Sequence, residues 1–194
     1  MAMNVLHRMC CSSRPWAAYT SRSLIPWALD GVDLGERAVE VGPGYGANMR
    51  PLLDRTTNLT AIEIDSVNAA RLTHRFGGRA RIIDADATDA GLSDAAYTSV
   101  VCFTMLHHVP TERLQDRLFA EAWRMLEPGG VFAGTDGRHS LPFEWVHLGD
   151  TYNPVEPEWV ADRLRANGFD DVEISTSPVN QRWRAVRPRR STVV

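Results

Sequence analysis

The stretch VEVGPGYG, residues 39–46, places Gly42, Gly44 and Gly46 directly behind a short apolar run. Glycine admits positive φ and lets a ligand approach the backbone closely. At the end of a β run, such a turn is a nucleotide-binding signature, weak on its own. Three carboxylates stand at useful distances from it. Glu63 lies 21 residues after Gly42, where an acid can accept both hydroxyls of a ribose. Asp86, in IIDADAT, is placed to meet an adenine edge. Glu40, two residues before Gly42, would repel a diphosphate and suit an ammonium or sulfonium. These residues leave two ligands open. One is a dinucleotide, whose GxGxxG fingerprint would end at position 47, where Ala is tolerated. The other carries an adenosine and a zwitterionic tail, which needs glycines for close approach and carboxylates for its ribose and amino group.

Histidines supply the candidates for proton transfer, because imidazole titrates near neutral pH. His107 and His108 follow the fourth β run in LHHV, and one of them can be structural. His139 and His147 follow the fifth. The cysteines, Cys10, Cys11 and Cys102, form no CxxC or Cys/His spacing, so no metal constellation is expected. Cys102 sits inside an apolar run and reads as a small buried hydrophobe.

These residues need a scaffold, and the chain supplies an alternation. RAVEV (37–41), LTAIEI (59–64), ARIID (80–84), YTSVVCF (97–103) and GGVFAGTD (129–136) read as strands. Between them, GANMRPLLDR, SVNAARLTHRF with Asp65 as N-cap, and TERLQDRLFAEAWRML with Thr111 as N-cap read as helices. Pro51 is harmless only in a first turn, so the helix holding it must begin late, near Asn48, or be distorted. PEWVADRLRANG (157–168) is a further helix ending at Gly168, and DVEIST with QRWRAVR form a terminal hairpin. Strand and helix in turn mean a doubly wound parallel sheet, to which the hairpin adds an antiparallel edge strand. Ahead of this, residues 4–29 read as two short helices broken at SSRP, and residues 1–29 are expected to form a mobile lid rather than part of the core.

Composition sets outer limits. The chain has 194 residues, 44% hydrophobic and 23% charged, with a formal charge of −3. One domain is expected, divided into an N-terminal helical cap (1–35), a ligand-binding core (36–136) and an acceptor-side insert with the C-terminal hairpin (137–194). No stretch reaches the about 18 apolar residues of a membrane span, and no secretory signal is read, so a cytoplasmic location without membrane contact is expected. All 21 basic residues are arginine. The cluster Arg182, Arg184, Arg187, Arg189 and Arg190 reads as a solvated strand edge and frayed tail, not a nucleic-acid surface.

Taken together, VEVGPGYG, AIEID, DADAT, VVCFTMLHHV and MLEPGGVF, in this order and spacing, resemble the class I S-adenosylmethionine-dependent methyltransferases, in particular their small-molecule branch. The resemblance covers residues 36–136; the last third matches in element order only. It implies a Rossmann-like, doubly wound seven-stranded α/β sheet with its last strand antiparallel, and S-adenosyl-L-methionine as cofactor. By position it implies that Gly42 and Gly44 approach the methionine part, that Glu40 holds its amino group through water, and that Glu63 binds the ribose. Ile64 would pack on the adenine, Asp86 would accept from its amino group beside the Ala87 backbone, and Phe103 would face the methyl donor. The acceptor would be a small aromatic or lipophilic hydroxyl, thiol or amine. Trp16, Tyr19, Trp27, Phe143 and Tyr152 are expected to contact it, and His107, His108, His139 and His147 are candidate bases. The rivals are a nicotinamide-dependent oxidoreductase and a non-catalytic adenosine-ligand-binding domain. Nucleic-acid methylation is disfavoured, since FTML lacks the Asn/Asp-Pro-Pro-aromatic tetrapeptide that holds a base.

Overall fold

The computed structural model describes residues 4–189. Arg190, counted above with the arginine cluster and its frayed tail, lies outside them. Among the described residues seven strands form one sheet in the order β3-β2-β1-β4-β5-β7-β6. The strands are β1 (Arg37–Val41), β2 (Asn58–Glu63), β3 (Ala80–Asp84), β4 (Tyr97–Phe103), β5 (Leu126–Gly137), β6 (Asp170–Thr176) and β7 (Asn180–Val186). β1 to β5 run parallel, and β7 is antiparallel to both of its neighbours. The last strand is therefore antiparallel, as the sequence suggests, but it is not the edge. β7 inserts between β5 and β6, and β6 takes the outside position.

Alternation along the central strands explains the two-faced core. Val100 and Cys102 of β4 belong to one buried cluster, while Val101 and Phe103 belong to the other. Successive side chains on a strand point to opposite faces, so a run with no polar interruption is what a sheet covered on both sides requires. On the first face, Leu118, Phe119, Ala122 and Met125 of α6 (Glu112–Met125) join Val160 and Leu164 of α8 (Pro157–Ala166). On the second face lie Met49 and Leu52 of α4 (Met49–Leu53) and Leu72 and Phe76 of α5 (Ser66–Phe76).

Local signals hold at the helix ends. Asp65 Oδ1 accepts from the Val67 and Asn68 amides, and Thr111 caps α6. α4 begins at Met49 after Asn48, which keeps Pro51 in its first turn. Gly168 follows α8 at φ +90°, as expected past a helix C-terminus.

The N-terminal segment departs from expectation. α1 (Val5–Cys11) ends at Ser12, and Ser13 caps α2 (Arg14–Tyr19), so the SSRP break is real. Beyond it the chain stays helical through a π turn (Thr20–Leu24) into α3 (Ile25–Ala28). Leu24, Ile25, Ala28 and Leu29 are buried, and Ile25, Ala28 and Leu29 join the second core cluster. Residues 24–29 are thus core, not lid. Only α1 and α2 remain peripheral, with Val5, Leu6 and Met9 exposed. α7 (Leu141–Val146) lies in the insert before α8. Among the described residues no helix is long and apolar enough to cross a membrane.

Candidate functional site

β1 pairs with β2 on one side and β4 on the other, so the chain reverses direction across the sheet beside β1. A crevice opens at such a switch point, at the carboxyl ends of the strands. Here it is a cavity of about 300 Å³. Gly42, Gly44, Glu63, Ile64, Asp86, Ala87 and Phe103 all line it. Seven of the eight residues expected at the cofactor are therefore brought together. The eighth, Glu40, is fully buried beneath the wall and accepts from Asn48 Nδ2 at 3.1 Å. Asn48 itself lines the cavity.

The three glycines have different reasons to be glycine, although all have positive φ. A Cβ on Gly42 would sit 2.4 Å from Met105 Cγ, and one on Gly46 would sit 2.7 Å from Leu72 Cδ2. Their bareness serves packing. A Cβ on Gly44 would meet nothing within 4 Å, so at Gly44 alone the bareness leaves open space. Their amides are all spent inside the protein. The Gly42 amide donates to Ile62 O at 2.9 Å, that of Gly44 to Glu63 Oε2 at 2.8 Å, and that of Gly46 to Pro43 O at 2.8 Å. A phosphate cradle needs such amides free.

The acids are held in place by short-range bonds. Glu63 Oε1 accepts from the Asp65 amide at 2.9 Å, so its carboxylate is fixed at both oxygens. Asp86 Oδ1 accepts from the Thr88 amide at 2.8 Å and shapes the rim loop. Glu63, Asp65 and Asp86 line the cavity, and neither Lys nor Arg does among the described residues. Burial pushes the Glu40 carboxyl up to about 8, opposed by the Asn48 hydrogen bond and reinforced by Glu63. Glu40 Oε2 and Asn48 Oδ1 are both buried with no hydrogen-bond partner. The Asn48 Oδ1 acceptor beside an acid-lined cavity suits a hydrogen-donating ligand, and a cation there would favour the ionised form of Glu40.

Sequence reasoning missed Thr104. It follows β4 at φ +50° and lines the cavity, with its amide donating to Thr135 O at 2.7 Å. A β-branched residue in this region stores strain of the kind that gathers at functional sites. No sequence signal marks it.

Of the candidate bases only His108 lines the cavity. Burial, with three neighbouring imidazoles, pushes it well down. His107 is buried behind it, its Nδ1 2.5 Å from Asp136 Oδ1 and its Nε2 3.0 Å from His147 Nε2. Burial pushes His147 down to about 4. His139 is exposed and bonds Tyr152 Oη at 3.0 Å. Of the candidate acceptor contacts only Trp16 lines the cavity. Tyr19 bonds Asn180 at the surface, and Trp27 packs against the second core cluster with Arg182 over its ring. Phe143 packs edge-on against His107 and Tyr152 stacks on His147 instead. His7, which sequence reasoning passed over, does line the cavity. With His108 and His147 it forms a buried group whose ligand atoms lie within 4.8 Å of one another. The spacing-based expectation of no metal constellation could not see this convergence of three distant segments.

Residues 39–134, which supply most of the crevice lining, match the family model of the methyltransferase domain. The segment belongs to the methyltransferase-domain family. Among curated relatives, a ribosomal RNA small subunit methyltransferase A of Bordetella pertussis is 51% identical over 53 residues, 27% of this chain and 20% of the relative. A fatty-acid O-methyltransferase of Mycolicibacterium smegmatis is 31% identical over 117 residues, 57% of this chain and 41% of the relative. The chain thus spans about a fifth of the first of these and two fifths of the second. Among solved structures, the N-methyltransferase NodS of Bradyrhizobium japonicum superimposes with TM-score 0.70 at 17% identity, covering 92% of this chain and 99% of NodS. The architecture is the Rossmann-like class I methyltransferase fold.

Proposed function

We propose that this methyltransferase domain binds S-adenosyl-L-methionine in the crevice and transfers its methyl group to a small lipophilic acceptor. One observation carries the reading. The amides of Gly42, Gly44 and Gly46 are already donated within the protein, while the cavity wall carries three acidic side chains and no arginine among the described residues. A dinucleotide diphosphate finds the three glycine amides engaged and no guanidinium there. A sulfonium with an α-ammonium group finds carboxylates. The family match over residues 39–134 supports the same cofactor.

When bound, the cofactor supplies an electrophilic methyl group on a positive sulfur. The chain's own residues bind and align it. Glu63, already oriented by two amides, keeps lone pairs for the ribose hydroxyls. Ile64, 46% exposed at the cavity wall, offers its side chain to the adenine face. Asp86 and the Ala87 backbone, in the cavity lining, would hold the adenine edge, and Asn48, bonded to the Glu40 carboxyl, would meet the ammonium group. Phe103 and the strained Thr104 line the same cavity and would face the methyl group. Alignment of donor and acceptor with water excluded is the main contribution such a site makes.

Beyond the acids the wall turns apolar, with Trp16, Met105, Val109, Leu114 and Leu118. This favours a lipophilic acceptor carrying a hydroxyl, thiol or amine. His108 lines this part, but burial makes it too weak a base to hold a proton near neutral pH, and no general base is assigned. The arginines of the C-terminal strand are engaged internally. Arg182 donates to Trp27 O, Arg184 pairs with Glu173, and Arg187 donates to carbonyls at the end of α6. That favours a small acceptor over a nucleic acid. The test is incubation with the cofactor and a panel of lipophilic alcohols, thiols and amines, with mass spectrometry for a methylated product. Methylation of at least one class supports the reading. Binding of the cofactor with no product from any class contradicts the transferase half of it.

A further inference from the structure

Four imidazoles, His7, His107, His108 and His147, meet where α1, the turn after β4 and the end of α7 come together. The δ nitrogen of each faces an oxygen. His7 Nδ1 lies 2.8 Å from Asp150 Oδ2, His107 Nδ1 2.5 Å from Asp136 Oδ1, His108 Nδ1 3.1 Å from Thr151 O and His147 Nδ1 2.6 Å from Phe143 O. Carboxylate and carbonyl oxygens only accept, so the network assigns a hydrogen to every Nδ1 and leaves every neutral ring its lone pair at Nε2. At the 3.0 Å contact between His107 Nε2 and His147 Nε2, two lone pairs then face each other. Positive charge among the rings would remove that conflict.

We propose that His7, His108 and His147 bind a divalent transition-metal ion through Nε2. All three are buried, and their ligand atoms lie within 4.8 Å of one another. Tetrahedral bonds of about 2.0–2.1 Å place nitrogens about 3.4 Å apart, so the three rings draw in on binding the ion. An all-imidazole set suits zinc, copper, nickel or iron and not magnesium or calcium. The surroundings are those of ligating histidines, whose second nitrogen is held by a carboxylate or carbonyl. Asp150 takes the Nδ1–H of His7, and Asp136 stands behind the neighbouring His107. Two buried carboxylates thus balance a divalent charge. Three imidazoles leave one tetrahedral position, bordered by His107 and by the cavity that His7 and His108 line.

The ion would also fasten α1 to the insert. That docking already exists in outline. Asn4 donates from its amide to Asp150 and from Nδ2 to Val146 O at 2.8 Å and Leu148 O at 3.1 Å. A metal joining His7 to His147 would tighten the same contact across the cavity mouth.

The full chain, stripped with a chelator, is titrated with Zn²⁺ by calorimetry and with Co²⁺ by visible absorption. The proposal expects one ion per chain, affinity tighter than about 10 µM, and a tetrahedral cobalt spectrum. H7Q and H147Q should each lose at least about tenfold in affinity, while H74Q, on the exposed surface of α5, binds as wild type. Weaker binding, or an equal loss in H74Q, overturns the proposal. If H7Q or H147Q fails to fold, X-ray absorption of the zinc-loaded wild type decides. A shell of at least three imidazoles supports the site, and a shell dominated by oxygen overturns it. The test is independent of methyl transfer, because none of these readouts requires cofactor or acceptor.

Discussion

Gly44 separates folding from ligand binding more cleanly than any other residue of the loop. Its φ of +54° makes a side chain strained, but a Cβ meets nothing within 4 Å. G44V is therefore expected to unfold cooperatively, destabilised by about 1–2 kcal/mol, while S-adenosylhomocysteine binding is lost in calorimetry. G42V should instead damage the fold, because its side chain strikes Met105. Glu63→Ala removes charge-assisted bonds to the ribose, and binding should weaken by roughly 1.5–3 kcal/mol. Glu40 carries a pH signature. Its carboxyl is raised from 4.5 to about 8 in the folded chain, so the folded state holds a proton that the unfolded state releases. That contribution to stability is complete below about pH 4.5 and is lost as pH rises through about 8. The unfolding free energy of the ligand-free wild type, from urea titration, should fall relative to Glu40→Gln across this window, by up to about 1.4 kcal/mol per pH unit. A constant difference between the two proteins would contradict it. These acids were legible because their spacing from the glycines is short and linear. Thr104 was not, since its strain comes from the way β4 runs into the following turn.

The elements follow the sequence where local chemistry decides and depart where packing decides. Asp65, Thr111 and Gly168 mark helix ends through side-chain or φ preferences that act within a few residues. Pro51 fixes the late start of α4 for the same reason. At the N-terminus, polar and aromatic residues alternate and read as a loose lid. The π turn at Thr20–Leu24 instead rotates Ile25 and Ala28 into the core, a tertiary effect with no local marker. Two truncations separate the roles. Removing residues 1–12 deletes α1 but leaves the second core cluster whole, so the protein should fold and bind S-adenosylhomocysteine within about tenfold of wild type, with acceptor turnover largely lost. Removing residues 1–29 should prevent folding. Ile25→Ala alone should cost about 2–5 kcal/mol in urea unfolding. Full methyl transfer by the shorter truncation would contradict a role for α1 over the cavity.

At the scale of the molecule, strand order does the positioning. Placing β1 between β2 and β4 gathers the ends of three strands, and with them Gly44, Glu63 and Phe103, around one crevice. That arrangement was readable from the strand–helix alternation, since right-handed crossovers leave few topologies. The inner position of β7 and the meeting of His7, His108 and His147 were not, because both depend on contacts between segments far apart in the chain. Which adenosine ligand the crevice accepts decides what the protein does. Calorimetric titration of the full chain with S-adenosylhomocysteine and, separately, with NADH tests this most directly. Saturable one-to-one binding of S-adenosylhomocysteine and no measurable heat of binding with NADH are expected. Saturable NADH binding with no response to S-adenosylhomocysteine would contradict the proposed function.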